Sequence, residues 1–331
     1  AWSVYQAVDR ERYEVHVVGI SKQGVWQHYG DRDDFLVDRQ DPRKIHLAED
    51  GRVCFLCRTS INVRLWELGT GQEFPLDVAF PVLHGANGED GTIQGLFQML
   101  GLPYVGCDQM SSANCMDKTV TKLLLNCGGL TTARGITLRK KADPASLQQA
   151  LDHFGLPLFV KPACTGSSVG ISKVKTKEQL PEAVALAFQY DDKVLIEEAI
   201  PGREIECAVL DDGENIFCPP PGEVIPHDEF YSYAAKYLSK DGATLKVPAE
   251  LTPEQVETVQ ELARRAFIAL DCRGMARVDF FLKPDGTWVL NEINTIPGFT
   301  SISLYPQLML KAGISYPTLV SKLLDRALLT K

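Results

Sequence analysis

The segment RGMARVDFFLKPDGTWVLNEIN, residues 273–294, does most to narrow what this chain can fold into. Two β-rich runs are joined by a Pro-Asp-Gly turn, which is a hairpin signal. Asp279 lies on the first run, and Glu292 and Asn294 lie two apart on the second. The period-two alternation of a strand therefore points Glu292 and Asn294 to one face, and Arg277 shares the face of Asp279. Carboxylates and an amide oxygen set side by side form a donor set for a hard divalent cation, with phosphate oxygens and water completing its shell. A solvated surface hairpin is the competing reading of such spacing. Val289, Ile293 and Phe280 argue for partial burial, where unpaired carboxylates are costly.

Composition removes several other classes of function. The 331 residues are 45% hydrophobic and 23% charged, an ordinary globular balance that fits about two or three domains. Lys and Arg number 34 against 43 Asp and Glu, a net charge of -9, the wrong sign for bulk attraction to nucleic acid or anionic lipid. No apolar run approaches the roughly 18 residues of a membrane span. Nine cysteines, an odd number without a framework, indicate a reducing cytoplasm rather than a disulfide scaffold. Cys54 and Cys57 make a single CxxC with no second pair to complete a zinc site, and the expectation is two ordinary strand or loop thiols.

The opening AWSVYQAVDRERYEV carries Trp2, Tyr5 and Val8 near helical spacing and leads into an apolar strand at 15–20. This reads as the second half of a βαβ unit whose first strand lies upstream of residue 1. The chain to residue 60 reads as loop-rich. PLDVAFPVLHG, 75–85, reads as a buried parallel strand ending at Gly85, at the strand terminus where open α/β sheets bind ligands. Residues 92–100 and 116–126 read as helices, and 102–106 as strand-like. The expected domains are an N-terminal αβ unit at 1–106, a central α+β unit at 107–197 and a C-terminal α+β unit at 198–331, the last containing a long helix at 252–270. No GxGxxG is present, which argues against a dinucleotide-dependent dehydrogenase.

Three loops could hold anions. GSSVG, 166–170, follows Lys161 and offers closely approachable backbone N–H groups, although a plain turn explains it as well. HGANGEDG, 84–91, is a glycine-dense loop leading into a helix. PGFTSIS, 297–303, follows the candidate metal ligands and offers the Gly298 amide with the Ser301 and Ser303 hydroxyls.

Taken in order, HGANGEDGTIQG, MDK, LPLFVKPACTGSSVG, EEAIPGREIE, AAKY, ARVDFF and LNEINTIPGFTSIS resemble the D-alanine–D-alanine ligase family of ATP-grasp enzymes, along nearly the whole chain. The resemblance implies an α/β and α+β fold of three domains, the first Rossmann-like and the other two gripping ATP between them. It implies that ATP phosphorylates one D-alanine carboxylate and that the amine of a second D-alanine then attacks, for peptidoglycan precursor synthesis. By the same resemblance Lys118, Lys161 and Lys236 reach the phosphates, Glu197 and Glu204 serve adenine and ribose, Phe159 stacks near the base, and Glu198, Ile200, Phe281 and Asn291 complete the nucleotide site. Asp279, Glu292 and Asn294 would ligate magnesium or manganese, as two ions. Arg277 and Gly298 would stabilise the oxyanion, with His84 near the first D-alanine and Ser303 and Leu304 at the second. Ser167 and Tyr237 match two members of a Glu-Ser-Tyr set whose glutamate belongs upstream of residue 1. Lys236 and Tyr237 match the dipeptide-forming branch, while Ala234 stands where relatives carry an acidic residue. A ligase using D-serine or D-lactate second is the alternative. The family also implies a homodimer in the bacterial cytosol with no nucleic-acid or membrane partner.

Overall fold

The computed structural model describes residues 1–39, 41, 44–139, 144–166, 168–227, 242–300 and 302–329. A short helix, α1 (Trp2–Ala7), precedes β1 (Val17–Ile20), β2 (Trp26–Gly30), the short pair β3 (Leu36–Val37) and β4 (His46–Leu47), then β5 (Arg52–Arg58), β6 (Val63–Glu67) and β7 (Glu73–Leu76). These form a five-stranded sheet in the order β1-β2-β5-β6-β7, antiparallel at every pairing, with β3 and β4 as a separate ribbon. Much of the stretch read as loop is therefore strand. Its strands are two to seven residues long, and Asp, Gly and Thr turn residues crowd between them, so turn signals mask the alternation. Cys54 and Cys57 sit three apart on β5, one buried and one partly exposed, and both are free thiols.

The run at 75–85 also departs from expectation. Pro75 and Leu76 close β7 against β6, and beyond them the run makes a single parallel bridge, Ala79 to Tyr104, rather than a strand within a parallel sheet. A ladder needs a partner along a whole edge, and past β7 the partner is the short stretch 103–105, through Ala79 N–H to Pro103 O and Val105 N–H to Ala79 O. Val78, Phe80 and Val82 instead line an apolar cleft beside Val18 of β1. Helix α2 (Thr92–Leu100) ends at Gly101, whose positive φ of 64° closes it as glycine does at C-caps.

The helix expected at 116–126 is α4 (Lys118–Cys127), and a further helix, α3 (Gln109–Met116), directly precedes it. Asp117 between them is extended, and its carboxylate accepts the N–H groups of Thr119 (3.0 Å) and Val120 (3.3 Å). One residue thus ends the first helix and caps the second, which sets Lys118 in the first turn of α4. Both helices pack on the C-terminal sheet: Cys115 and Leu125 share a core with Phe267, Val278 and Ile293.

A four-stranded antiparallel sheet follows, built from β8 (Gly135–Arg139), β9 (Leu158–Pro162), β10 (Ser172–Val174) and β11 (Lys193–Glu198) in the order β10-β9-β11-β8. Helices α5 (Pro144–Phe154) and α6 (Leu180–Ala187) cover it, burying Leu158, Val160 and Ile196. The largest sheet comprises β12 (Arg203–Asp211), β13 (Ile216–Phe217), β14 (Gly222–Pro226), β15 (Ala243–Lys246), β16 (Met275–Leu282) and β17 (Trp288–Asn294). Its order is β15-β14-β12-β16-β17, with β13 against β12. The expected hairpin is β16 and β17. Helices α7 (Pro253–Ala269), α8 (Leu304–Lys311) and α9 (Tyr316–Leu329) pack against this sheet. Among the described residues no helix is long and apolar enough to cross a membrane.

Helix α7 starts at a reciprocal cap: Thr252 Oγ1 accepts the Gln255 N–H (3.2 Å) and Gln255 Oε1 accepts the Thr252 N–H (3.0 Å), with Pro253 at the first helical position. Thr252→Ala is expected to lower unfolding free energy by about 1 kcal/mol in denaturant titration. An unchanged midpoint would show that α7 is held by its packing alone.

Candidate active site

Pairing register puts the charged residues on one face. Glu206 of β12 lies opposite Asp279 of β16, which lies opposite Glu292 of β17, and Arg277 lies opposite Asn294. The ladder slips between Asp279 and Phe280, so that Glu292 and Leu290 pair with neighbouring residues and Asn291 is the extra one. Such a bulge re-aims side chains locally. It brings Asn291 and Glu292 together onto the wall of one cavity.

Arg277 is the centre of this face. Its Nε and Nη2 donate to the two carboxylate oxygens of Asp279 at 2.8 and 2.7 Å, and Nε is also 2.9 Å from Glu206 Oε2. Desolvation acts to lower the Arg277 pKa, but the charges of Asp279 and Glu206 outweigh it and hold it well above the usual value. The Asn294 amide nitrogen donates to Asp279 at 3.0 Å, which leaves the amide oxygen as an acceptor. Among the described residues no three His, Cys, Asp or Glu side chains converge into a complete metal cage. Asp279, Glu292 and the Asn294 oxygen instead form the partial, all-oxygen set that suits a magnesium ion sharing its shell with phosphates, so these residues fit such an ion.

A cavity of about 610 Å³ opens between the central sheet and the C-terminal sheet. Phe159 and Lys161 of β9, Lys118 of α4, and Glu197 and Glu198 of β11 line it, as do Ile200, Glu204, Phe281 and Asn291. The nucleotide-site residues expected from the sequence and described here thus share one space. The Lys118 ammonium donates to the Thr165 carbonyl at 2.5 Å, and desolvation lowers its pKa. Lys161 Nζ is 5.6 Å from the centre of the Phe159 ring.

Glu197, on the cavity wall, is also part of an ion-pair cluster. Its carboxylate is clamped between Lys161 and Lys122, the latter at 2.9 Å. Burial alone would raise its pKa, but the two lysines bring it down to about 2. Each carboxylate oxygen lies within ion-pair reach of one lysine. Lys122, one turn after Lys118 on α4, is missing from the expected site residues although helical spacing could have singled it out.

The remaining residues form the rim. His84 has its pKa lowered by desolvation, with Arg277 adding to the effect and a hydrogen bond to the Ile296 backbone opposing it. A Cβ at Gly298 would approach Ser303 Oγ to 2.9 Å, so glycine permits the close approach of that amide and hydroxyl. Ser303 Oγ accepts the Thr300 N–H at 3.1 Å. The Leu304 side chain is packed in the core with Val224 and Phe299, leaving its backbone as the part that can face a substrate. Glu89 was not anticipated: it accepts the Gly85 N–H at 2.5 Å and shares a small cavity with Lys118, Glu292 and Asn294. Desolvation raises its pKa to about 7. Ser167, Lys236 and Tyr237, with Ala234, lie outside the described residues.

Family models for the D-ala D-ala ligase N-terminus and C-terminus match residues 1–107 and 124–325. The chain belongs to the D-alanine–D-alanine ligase family. It is 47% identical over 330 residues to D-alanine–D-alanine ligase A of Chromobacterium violaceum, covering 99% of this chain and 90% of that one. It is 44% identical over 332 residues to D-alanine–D-alanine ligase A of Escherichia coli K12, with the same coverage. Among solved structures, the D-alanine-D-alanine ligase of Coxiella burnetii superposes with a TM-score of 0.85 at 35% identity, over 99% of this chain and 88% of that one. The VanG D-Ala:D-Ser ligase of Enterococcus faecalis gives 0.87 at 34% identity, over 98% and 93%. The mixed α/β architecture is therefore the multi-domain ATP-grasp fold.

The Glu197 clamp predicts a pH signature. A carboxylate whose folded pKa is depressed stabilises the fold above its unfolded value and loses that contribution as pH falls through the folded one. The stability advantage of the native protein over Glu197→Gln should shrink between pH 4.5 and about 2, by on the order of 3 kcal/mol in denaturant titrations. A constant difference across that window would contradict the clamp.

Proposed function

We propose that this protein is an ADP-forming D-alanine–D-alanine ligase of peptidoglycan precursor synthesis. The observation that carries the reading is the face of Asp279, Glu292, Asn294 and Arg277, whose Glu292 lines the cavity walled by Lys118 and Lys161, in a chain of this ligase family.

The first D-alanine carboxylate attacks the γ-phosphorus of ATP, ADP leaves, and an acyl phosphate forms. The amine of the second D-alanine then attacks the acyl carbon and gives up a proton. The tetrahedral adduct expels phosphate, which takes one oxygen of the original carboxylate with it. Phosphoryl transfer of this kind needs positioning and neutralised charge more than covalent help from the protein. Lys118 and Lys161 hold the phosphates, and Glu204 with Phe159 and Phe281 holds the nucleoside. Asp279, Glu292 and Asn294 would hold magnesium or manganese, in the reading of two ions, and such ions supply charge neutralisation on the phosphates when bound. Arg277 and the Gly298 amide face the oxyanion as it develops, where fixed charges and dipoles in a dry site act most strongly. His84 orients the first D-alanine, and Ser303 with the Leu304 backbone orients the second.

The protein is also read as a cytosolic homodimer without nucleic-acid or membrane partners. The net charge of -9 and nine free cysteines support the cytosol and the absence of polyanion binding, and the dimer follows the family.

Incubation with ATP, magnesium and D-alanine should yield equimolar ADP, phosphate and D-alanyl-D-alanine, with D-serine and D-lactate poor second substrates in product analysis. Preferred formation of the D-serine product would move the reading to the activity named for the Enterococcus faecalis relative. Glu292→Gln should lose roughly a hundredfold or more in D-alanine-dependent ADP release while keeping its melting temperature. Full turnover by that variant at low magnesium would remove Glu292 from the ligand set.

A further inference from the structure

Arg277 poses a problem of charge. Its guanidinium takes both oxygens of Asp279, and Asn294 takes a further share of one of them. A divalent cation that uses Asp279 as a ligand competes for the same lone pairs and lies beside a fixed positive group. The arginine side chain is 20% exposed and the aspartate 11%, so water screens this encounter poorly. Were Asp279 the sole anion at hand, each ion bound there would leave a largely buried guanidinium without a partner, which is expensive.

Glu206 resolves the conflict. Its carboxylate, 15% exposed, approaches Arg277 Nε at 2.9 Å from the side opposite β17. It sits on β12, directly across from Asp279, so its backbone is locked by the ladder between the two strands. It belongs to the wall and not to the expected ligand set. We propose that Glu206 is a positioning residue, the second anion that keeps Arg277 in place and compensated when Asp279 turns its charge to a divalent cation. This rests on the reading of Asp279, Glu292 and Asn294 as metal ligands. The arginine is then held by Glu206 and remains aimed at the reacting carboxyl while the cation occupies Asp279. Glu206 stands two places beyond Glu204, and the strand period puts both on one face.

The test measures manganese binding to the ADP complex by electron paramagnetic resonance, in the native protein, Glu206→Gln, Arg277→Gln and the double variant. ADP binding is measured separately in the presence of a chelator. Glu206→Gln should weaken manganese binding tenfold or more, with chelator-phase ADP affinity within twofold of native. On the Arg277→Gln background the same substitution should cost less than threefold, because Glu206 acts through the arginine. Equal losses on both backgrounds would reduce Glu206 to a bulk negative charge and overturn the proposal, as would no loss at all. Should Glu206→Gln not fold, Glu206→Asp, which keeps the charge and shortens the reach, carries the same expectation. Native protein that binds ADP but no manganese would overturn the metal reading itself, and the role of Glu206 with it. Metal and ADP binding with unaltered behaviour in the variants would sink only the inference about Glu206.

Discussion

The ion pairing of Arg277 with Asp279 and Glu206 is the constraint on which the rest of the site depends. Three carboxylates meet on adjacent strands, and like charges so placed repel unless a cation lies among them. Arg277 is that cation, and its bidentate hold on Asp279 fixes a planar group in a known orientation. Because the compensation is partial, the face retains net negative charge, which would favour a divalent ion without assembling a closed cage for it. The same arrangement suits a reaction in which negative charge first accumulates on phosphate and later on a tetrahedral carbon.

The opposite wall of the cavity solves the complementary problem. Lysines crowd where phosphates would be bound, and crowded ammonium groups repel one another as carboxylates do. Glu197 lies between Lys161 and Lys122 and offsets their mutual repulsion in a buried setting. Asp117 caps α4 and also pairs with Lys193, so the helix that delivers Lys118 is tied to the central sheet. One wall is thus acidic with an arginine inside it, the other basic with a glutamate inside it. A nucleotide with its metal would complete both.

Much of this was legible in the chain. The β16–β17 hairpin and the shared face of Arg277 and Asp279 follow from a turn signal and a strict period of two, which register preserves. Helix α2 and the long α7 follow from periodicity and caps. What escaped had physical reasons. The N-terminal strands are too short and too interrupted by turn residues to alternate visibly, and past the end of β7 the apolar run at 75–85 bridges only to residues 103–105. The division of α3 from α4 depends on one aspartate that caps rather than continues a helix. Lys122, Glu206 and Glu89 are ordinary charges in sequence and acquire meaning only through what lies across from them.

The central claim is that this acidic face and the facing lysines transfer a phosphoryl group to a carboxylate. The most direct measurement follows oxygen. With D-alanine labelled by oxygen-18 in its carboxyl group, and with ATP and magnesium, mass analysis of the released phosphate should find one labelled oxygen per phosphate for each dipeptide formed. Dipeptide accompanied by wholly unlabelled phosphate would contradict it, because the carboxylate would never have been bonded to phosphorus.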